Sequence, residues 1–414
     1  MRVIEYRQPA RRTKRKKPHG LRALCLLLVL LLITSLGTAL WRYSRPVSAL
    51  EVNVSELKIP SQTIKLAWPG YGQSAAGAVG YGVLAQQGLT DPKPIASITK
   101  VATALTVLQE KPLKLGEQGP KITLTKQDMA IYDSYQANDG SVVPIRVGEQ
   151  LTQYQMLQAL LLPSSNNLAD TLAIWAFGSL DSFDRAANAY VASLGMSQTT
   201  IAGASGFSPK SVSTATDLIK LGEAAMRHPV VRQIVNQTEV PFPVAGKIYN
   251  VNGMLGKNGI VGIKPGNTDE AGGCFLGAAT VNLPNGKKVT VISAVMNAPN
   301  LIQALVDSRK LLASIPQGFD EIEVAPAGAK VGYVNVPWGS PVSLVTRKNL
   351  IVSGWMGATY QPKITLSSLQ PPYTTDQSVG QIQLDAPSGK VTTEVYLAAA
   401  VAAPSAAWRR KNIF

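Results

Sequence analysis

The chain has 414 residues, 45% hydrophobic and 16% charged, and its 40 Lys and Arg against 25 Asp and Glu give a net charge of +15. Nine of those basic residues precede position 23 with only Glu5 against them, so the first 22 residues carry +8 and the rest +7. With no interleaving of basic and aromatic residues, the charge therefore marks a tail and not a nucleic-acid groove. Two histidines, His19 and His228, argue against a serine–histidine–acid triad and exclude a zinc peptidase, and two cysteines give no disulfide framework.

The basic tail, 1–22, leads into 23–41, nineteen residues from Ala23 to Trp41 without a charge. As a helix these reach about 28 Å, against a hydrocarbon core of about 30 Å. The charge bias predicts a single-pass anchor with the N-terminus in the cytoplasm and the rest outside the cell membrane. A cleaved signal peptide with a site near Val47-Ser48-Ala49, and hence secretion, is the alternative. Cys25 lies at the start of the apolar run, which argues against a lipid-modified anchor. Residues 42–58 read as a spacer.

A first domain is expected over 59–315, mixing strands (Thr63 to Ala67, Ala75 to Ala85, Gly273 to Val281, Lys287 to Met296) with helices, so the fold class is α+β. Within it, Ser97 opens a predicted helix to Glu110 with Ile98, Val101, Ala102, Leu105 and Leu108 at helical spacing. Ser97 and Lys100 then share a helix face. A serine hydroxyl needs a base within about 3 Å, and a lysine among apolar neighbours is desolvated and can supply one. The same residues also read as an N-capping serine with a snorkelling lysine. Ser55 to Lys58 has the same spacing, but Pro60 denies it a helix.

Two further polar groups follow. Pro163 breaks two amphipathic stretches, Leu151 to Leu162 and Leu168 to Phe177, leaving Ser164 to Asn167 as a tight loop that presents side chains or caps the second helix. Helices are expected to start at Leu180 and Thr214 as well, with His228 at a helix end. Lys264-Pro265-Gly266 ends the apolar run from Ile260, reading as a lysine on a strand or as a charged hairpin end. Pro284-Asn285-Gly286 predicts a hairpin turn, Cys274 a buried thiol, and Pro299 to Ile315 a last helix. From Phe319 the pattern changes to short alternating runs separated by Pro and Gly. These predict a small all-β domain, a β-sandwich over 319–404.

Taken in order, the three groups resemble the serine penicillin-recognising superfamily, and within it the D-alanyl-D-alanine carboxypeptidases, the low-molecular-mass penicillin-binding proteins. The similarity runs from about Ile64 onward. It includes Ala96-Ser97-Ile98-Thr99-Lys100, Leu160-Leu161-Leu162-Pro163-Ser164-Ser165-Asn166-Asn167, Ser213-Thr214-Ala215-Thr216-Asp217-Leu218, and Gly262-Ile263-Lys264-Pro265-Gly266-Asn267-Thr268-Asp269-Glu270-Ala271-Gly272. The family pattern selects Ser164 and Asn166 over Ser165 and Asn167, while order and local context select Lys264 over Lys257.

The resemblance implies a β-lactamase/transpeptidase-like catalytic domain, a helical cluster on an antiparallel sheet. Its substrate would be a peptidoglycan stem peptide ending in D-Ala-D-Ala, with β-lactam antibiotics as covalent inhibitors and no cofactor or metal. Ser97 would attack the penultimate D-alanine carbonyl, Lys100 take its proton, Ser164 relay a proton to the leaving amine, and Asn166 hold the substrate amide and Lys100. Lys264, Gly266, Asn267 and Thr268 would form the substrate-binding strand, with the N–H groups of Ser97 and Asn267 as oxyanion hole. Two positions depart from the pattern, Pro265 for a usual threonine and Val251 where some members place an arginine, so a weaker hold on the substrate carboxylate is expected. No glutamate stands between Asn166 and Glu223, which disfavours deacylation in the class A β-lactamase manner. An endopeptidase, a transpeptidase or a catalytically weak penicillin-binding scaffold or sensor on the same fold remain the alternatives.

Overall fold

The computed structural model describes residues 19–283 and 286–412. Helix α1 (His19–Ser44) exposes its apolar stretch, with Leu26 70% exposed, and is long and apolar enough to cross a membrane. Strand β1 (Val52–Val54) follows, then β2 (Gln73–Ala78) and β3 (Gly82–Gly88). Next come α2 (Thr99–Glu110), α3 (Lys126–Ala137), α4 (Gln153–Leu161), α5 (Asn166–Phe177), α6 (Leu180–Ser193), α7 (Ala215–Arg227) and α8 (Pro229–Val235). The three long strands β4 (Ile260–Thr268), β5 (Gly272–Asn282) and β6 (Lys288–Ala298) precede α9 (Leu301–Ser314).

These strands make a five-stranded antiparallel sheet in the order β4-β5-β6-β2-β3. One apolar cluster joins α2, α4, α5, α6 and α7 to one face of it, and α9 covers the other. Side-chain caps start the helices locally: Thr152 accepts from Gln155 N at 3.2 Å, Thr214 from Asp217 N at 3.2 Å and Asn300 from Gln303 N at 2.9 Å. Because β4 is the sheet's outer strand, its free edge is open to the helical cluster.

The all-β region holds β7 (Phe319–Ala325), β8 (Lys330–Val334), β9 (Val342–Thr346), β10 (Leu350–Trp355), β11 (Lys363–Leu366), β12 (Ser378–Ala386) and β13 (Gly389–Leu397), before a short helix α10 (Ala406–Asn412). They form a six-stranded sheet, β1-β8-β9-β13-β12-β11, and a pair, β7-β10. The fold class is thus the expected one, helices on an antiparallel sheet followed by an all-β domain. Arg409 donates to the carbonyls of Tyr43 (2.9 Å) and Arg45 (3.0 Å), tying α10 to the end of α1.

Several local expectations change. Residues 42–58 are not only a spacer: Leu50 is buried in the β-domain core and Val52–Val54 pairs with β8 as the sheet's outer strand, too short for its alternation to stand out in sequence. Ile59 likewise bridges to Tyr360. Thr63 to Ala67 is no strand, because its backbone is satisfied elsewhere: Ala67 N donates to Ser314 Oγ at 3.0 Å, while Ile64 and Leu66 pack beside α9. The single run Ala75 to Ala85 is two strands around a turn closed by Tyr81 N to Ala78 O at 2.9 Å. The tail up to residue 18 and the first two residues of the turn at 284–286 lie outside the described residues.

Candidate active site

Ser97 sits in a 3-10 turn, Ala96–Ile98, that runs directly into α2, half-buried at the floor of a cleft of about 560 Å³. The preceding residue, Ala96, has φ 45°, a left-handed conformation that a non-glycine residue holds only where the surroundings enforce it. They do so from two sides. A Cβ on Gly206 would lie 2.0 Å from the Ala96 carbonyl oxygen, and one on Gly266 would lie 3.0 Å from both Ile95 O and Ser97 N. Only glycine lets β4 and the 205–206 segment close on the serine turn.

Lys100, one helical turn on, is fully buried. Its Nζ lies 3.0 Å from Ser97 Oγ, 2.7 Å from Asn166 Oδ1 and 2.6 Å from the Ser205 carbonyl. All three partners accept, so a charged lysine donates to each. A neutral lysine keeps the last two bonds and turns its lone pair to the Ser97 hydroxyl. Burial, then the nearby charge of Lys264, hold Lys100 well below the usual lysine range, and Asp170 opposes them.

Lys264 is also fully buried and burial lowers it to about 7. Its Nζ donates to the Pro265 carbonyl at 3.3 Å. Pro265 pairs with Phe275 and, lacking an N–H, is tolerated only where its nitrogen faces the free edge of β4. Two residues on, by strand alternation, Asn267 turns its N–H to that same edge, toward the cleft that Ser97, Asn166, Asn267 and Thr268 line.

The second polar group divides its labour. Ser165 caps α5, accepting from Leu168 N at 3.3 Å, and Asn167 pins the loop before α4, bonding Val143 N and O at 3.1 Å each. Of the other two, Asn166 lines the cleft beside Ser97. Ser164, at φ 67°, is buried with no hydrogen-bond partner for its Oγ among the described residues, and no bond joins it to Lys264. Val251 is 43% exposed, its N–H held by the Leu162 carbonyl at 3.0 Å. Cys274 is buried, which pushes its thiol up to about 11. His228 ends α7 and burial lowers its pKa.

Sequence reasoning missed Asp170, Tyr135 and Ser205. Asp170 is buried on α5 one turn after Asn166, a spacing that could have flagged it. Tyr135 and Ser205 come from separate segments and carried no signal.

The sequence profile of the D-alanyl-D-alanine carboxypeptidase family matches residues 78–300. A D-alanyl-D-alanine endopeptidase of Pseudomonas aeruginosa is 31% identical over 245 residues, 57% of this chain and 73% of the relative. A D-alanyl-D-alanine carboxypeptidase of Escherichia coli is 27% identical over 315 residues, 73% of this chain and 76% of the relative. Penicillin binding protein 5 from Haemophilus influenzae shares the fold, with a TM-score of 0.56 at 19% identity over 83% of this chain and 99% of its own.

Proposed function

This chain belongs to the D-alanyl-D-alanine carboxypeptidase family, and from that premise we propose how its residues perform the family's reaction. It is a serine-type D-alanyl-D-alanine carboxypeptidase, a hydrolase that acts on peptidoglycan stem peptides and binds β-lactams. The observation supporting the assignment of roles is Lys100 Nζ between three oxygens, one of them the Ser97 hydroxyl.

Neutral Lys100 takes the Ser97 proton as Oγ attacks the penultimate D-alanine carbonyl. The N–H groups of Ser97 and Asn267 receive the oxyanion, each such donor contributing roughly 3 kcal/mol. Ser164, whose hydroxyl has no partner of its own, relays the proton taken up by Lys100 to the amine of the departing D-alanine, which leaves Lys100 neutral again. Water, activated by the same lysine, then cleaves the acyl-enzyme. Lys264 supplies positive potential for the substrate carboxylate, with Gly266 and Thr268 on the binding strand. Helix α1 serves as an uncleaved anchor with its N-terminus in the cytoplasm, which an N-terminal tag found outside intact spheroplasts would refute.

Release of D-alanine from a stem pentapeptide tests the reading: wild type liberates it and Ser97→Ala does not. One observation favours a second substrate. Pro265 removes a hydroxyl from the carboxylate side of the site, and a 31% identical relative is an endopeptidase, so the same acyl transfer would also fit a cross-link bond.

A further inference from the structure

The partners of Lys100 lead away from the cleft as well as into it. Ser205 gives its carbonyl to Lys100, and its hydroxyl lies 2.9 Å from that of Tyr135. Tyr135 donates to Asp170 Oδ2 at 2.7 Å, so the Ser205 hydroxyl donates to Tyr135, while it accepts the Phe207 N–H at 3.3 Å. Asp170 is 6% exposed and its Oδ1 has no hydrogen-bond partner among the described residues. A buried carboxylate oxygen without a hydrogen bond is unfavourable for the charged form unless an opposite charge lies near.

Three helices bring charged or titratable groups to Asp170: Tyr135 from α3, Lys100 from α2 and Asp184 from α6; α4, also packed on α5, carries only Tyr154, whose hydroxyl donates to Gln233 instead. Behind Lys100 stands Lys264 on β4. The hydrogen bonds of both lysines go to neutral oxygens, and among the described residues neither cation has a carboxylate in hydrogen-bond contact.

We propose that Asp170 is the counter-charge of the two-lysine site, a positioning residue that acts through Tyr135 and Ser205 to set the pH at which Lys100 becomes a free base. The inference rests on the acyl-enzyme reading above. With one carboxylate for two lysines, the site holds one positive charge more easily than two, so Lys100 can be neutral while Lys264 stays charged. The directions agree: Asp170 raises Lys100 against burial, and burial raises Asp170 itself to about 6 while Tyr135 and Lys100 lower it.

The test is the rate of Ser97 acylation by a fluorescent penicillin as a function of pH, using the full chain in detergent. Asp170→Asn keeps an acceptor for Tyr135 and removes the charge. Its acid limb should move down by roughly 0.5 to 1 pH unit, making it about three- to tenfold faster than wild type on that limb. Tyr135→Phe leaves the carboxylate but deprives its ionised form of a donor, so the limb should move the same way by less. A folded Asp170→Asn whose limb stays in place or rises, or whose rate falls equally at all pH values, overturns the proposal. If Asp170→Asn fails to fold, an unmoved limb in Tyr135→Phe overturns it. A wild type that never acylates refutes the acyl-enzyme reading instead.

Discussion

Of the buried polar and charged side chains among the described residues, all but Thr346 and Thr393 lie in the catalytic domain. Those two are satisfied, Thr346 by the Pro326 carbonyl at 2.5 Å and Thr393 by the Lys348 carbonyl at 3.3 Å. In the catalytic domain, by contrast, two lysines are fully buried, Asp170 keeps a bare oxygen and Ser164 has no partner. The β domain is packed for stability. Around Ser97 the chain keeps charged and polar groups whose burial is unfavourable, as the proposed chemistry requires.

The largest effect expected from that contrast is on the nucleophile. Ser97→Ala removes a half-buried hydroxyl, so melting should barely change while D-alanine release falls by at least about 10⁴-fold. Intact-mass analysis should find a penicilloyl adduct on wild type and none on the variant. Lys100→Arg keeps the charge but cannot be deprotonated, and acylation should drop by orders of magnitude. An adduct on Ser97→Ala, or a near-normal rate for Lys100→Arg, breaks the reading of this region as the active one.

Lys264 sharpens the contrast, since activity and stability should move in opposite directions there. Its folded pKa, about 7, lies below the unfolded value of 10.5, so the folded state binds fewer protons between these pH values and stability rises with pH across that window. The destabilisation is full below about pH 7. Lys264→Met should therefore stabilise the protein at neutral pH, by at most about 4 kcal/mol, the gain fading toward pH 10.5, while turnover falls roughly a hundredfold. A variant less stable than wild type at pH 7 would show that burial of this lysine is compensated.

Part of this was legible in the sequence. Ser97, Lys100 and Asn166 stood out because a three-residue spacing on one helix turn and a polar loop after Pro163 are local patterns. Asp170, Tyr135 and Ser205 were not, because three segments must fold before their oxygens meet. Most of the long strands and helices of the catalytic domain followed from the sequence pattern, but α3 (Lys126–Ala137), which carries Tyr135, did not. The strand Val52–Val54 did not, since its partner β8 lies some 280 residues away in sequence and three residues show no period.

The β domain offers the opposite experiment. Leu344 is fully buried on β9 in its apolar core, and Leu344→Ala should cost about 2–4 kcal/mol of that domain's stability. Penicillin acylation at temperatures below the transition should stay within about twofold of wild type. A matching loss of acylation would mean that the β domain shapes the cleft.

The smallest expected effect lies at the boundary between the two demands, at Pro265. The β4 edge tolerates proline because no ladder bond is lost there, yet that edge is also where substrate would bind. Pro265→Thr adds a hydroxyl and an N–H, the latter facing the same side as Asn267 N–H. One regained charge-assisted hydrogen bond contributes about 1.5 to 3 kcal/mol. In the proposed binding mode Thr268 and Lys264 would supply part of the grip, so the expected gain in kcat/KM on a pentapeptide is about tenfold, near the lower end of that range. The gain should vanish on a cross-linked substrate with no free carboxylate beside the scissile bond. Equal gains on both substrates would place the new donor on the acyl side of the peptide. No gain on either would mean that the carboxylate is held elsewhere, and would favour cross-links as the substrate.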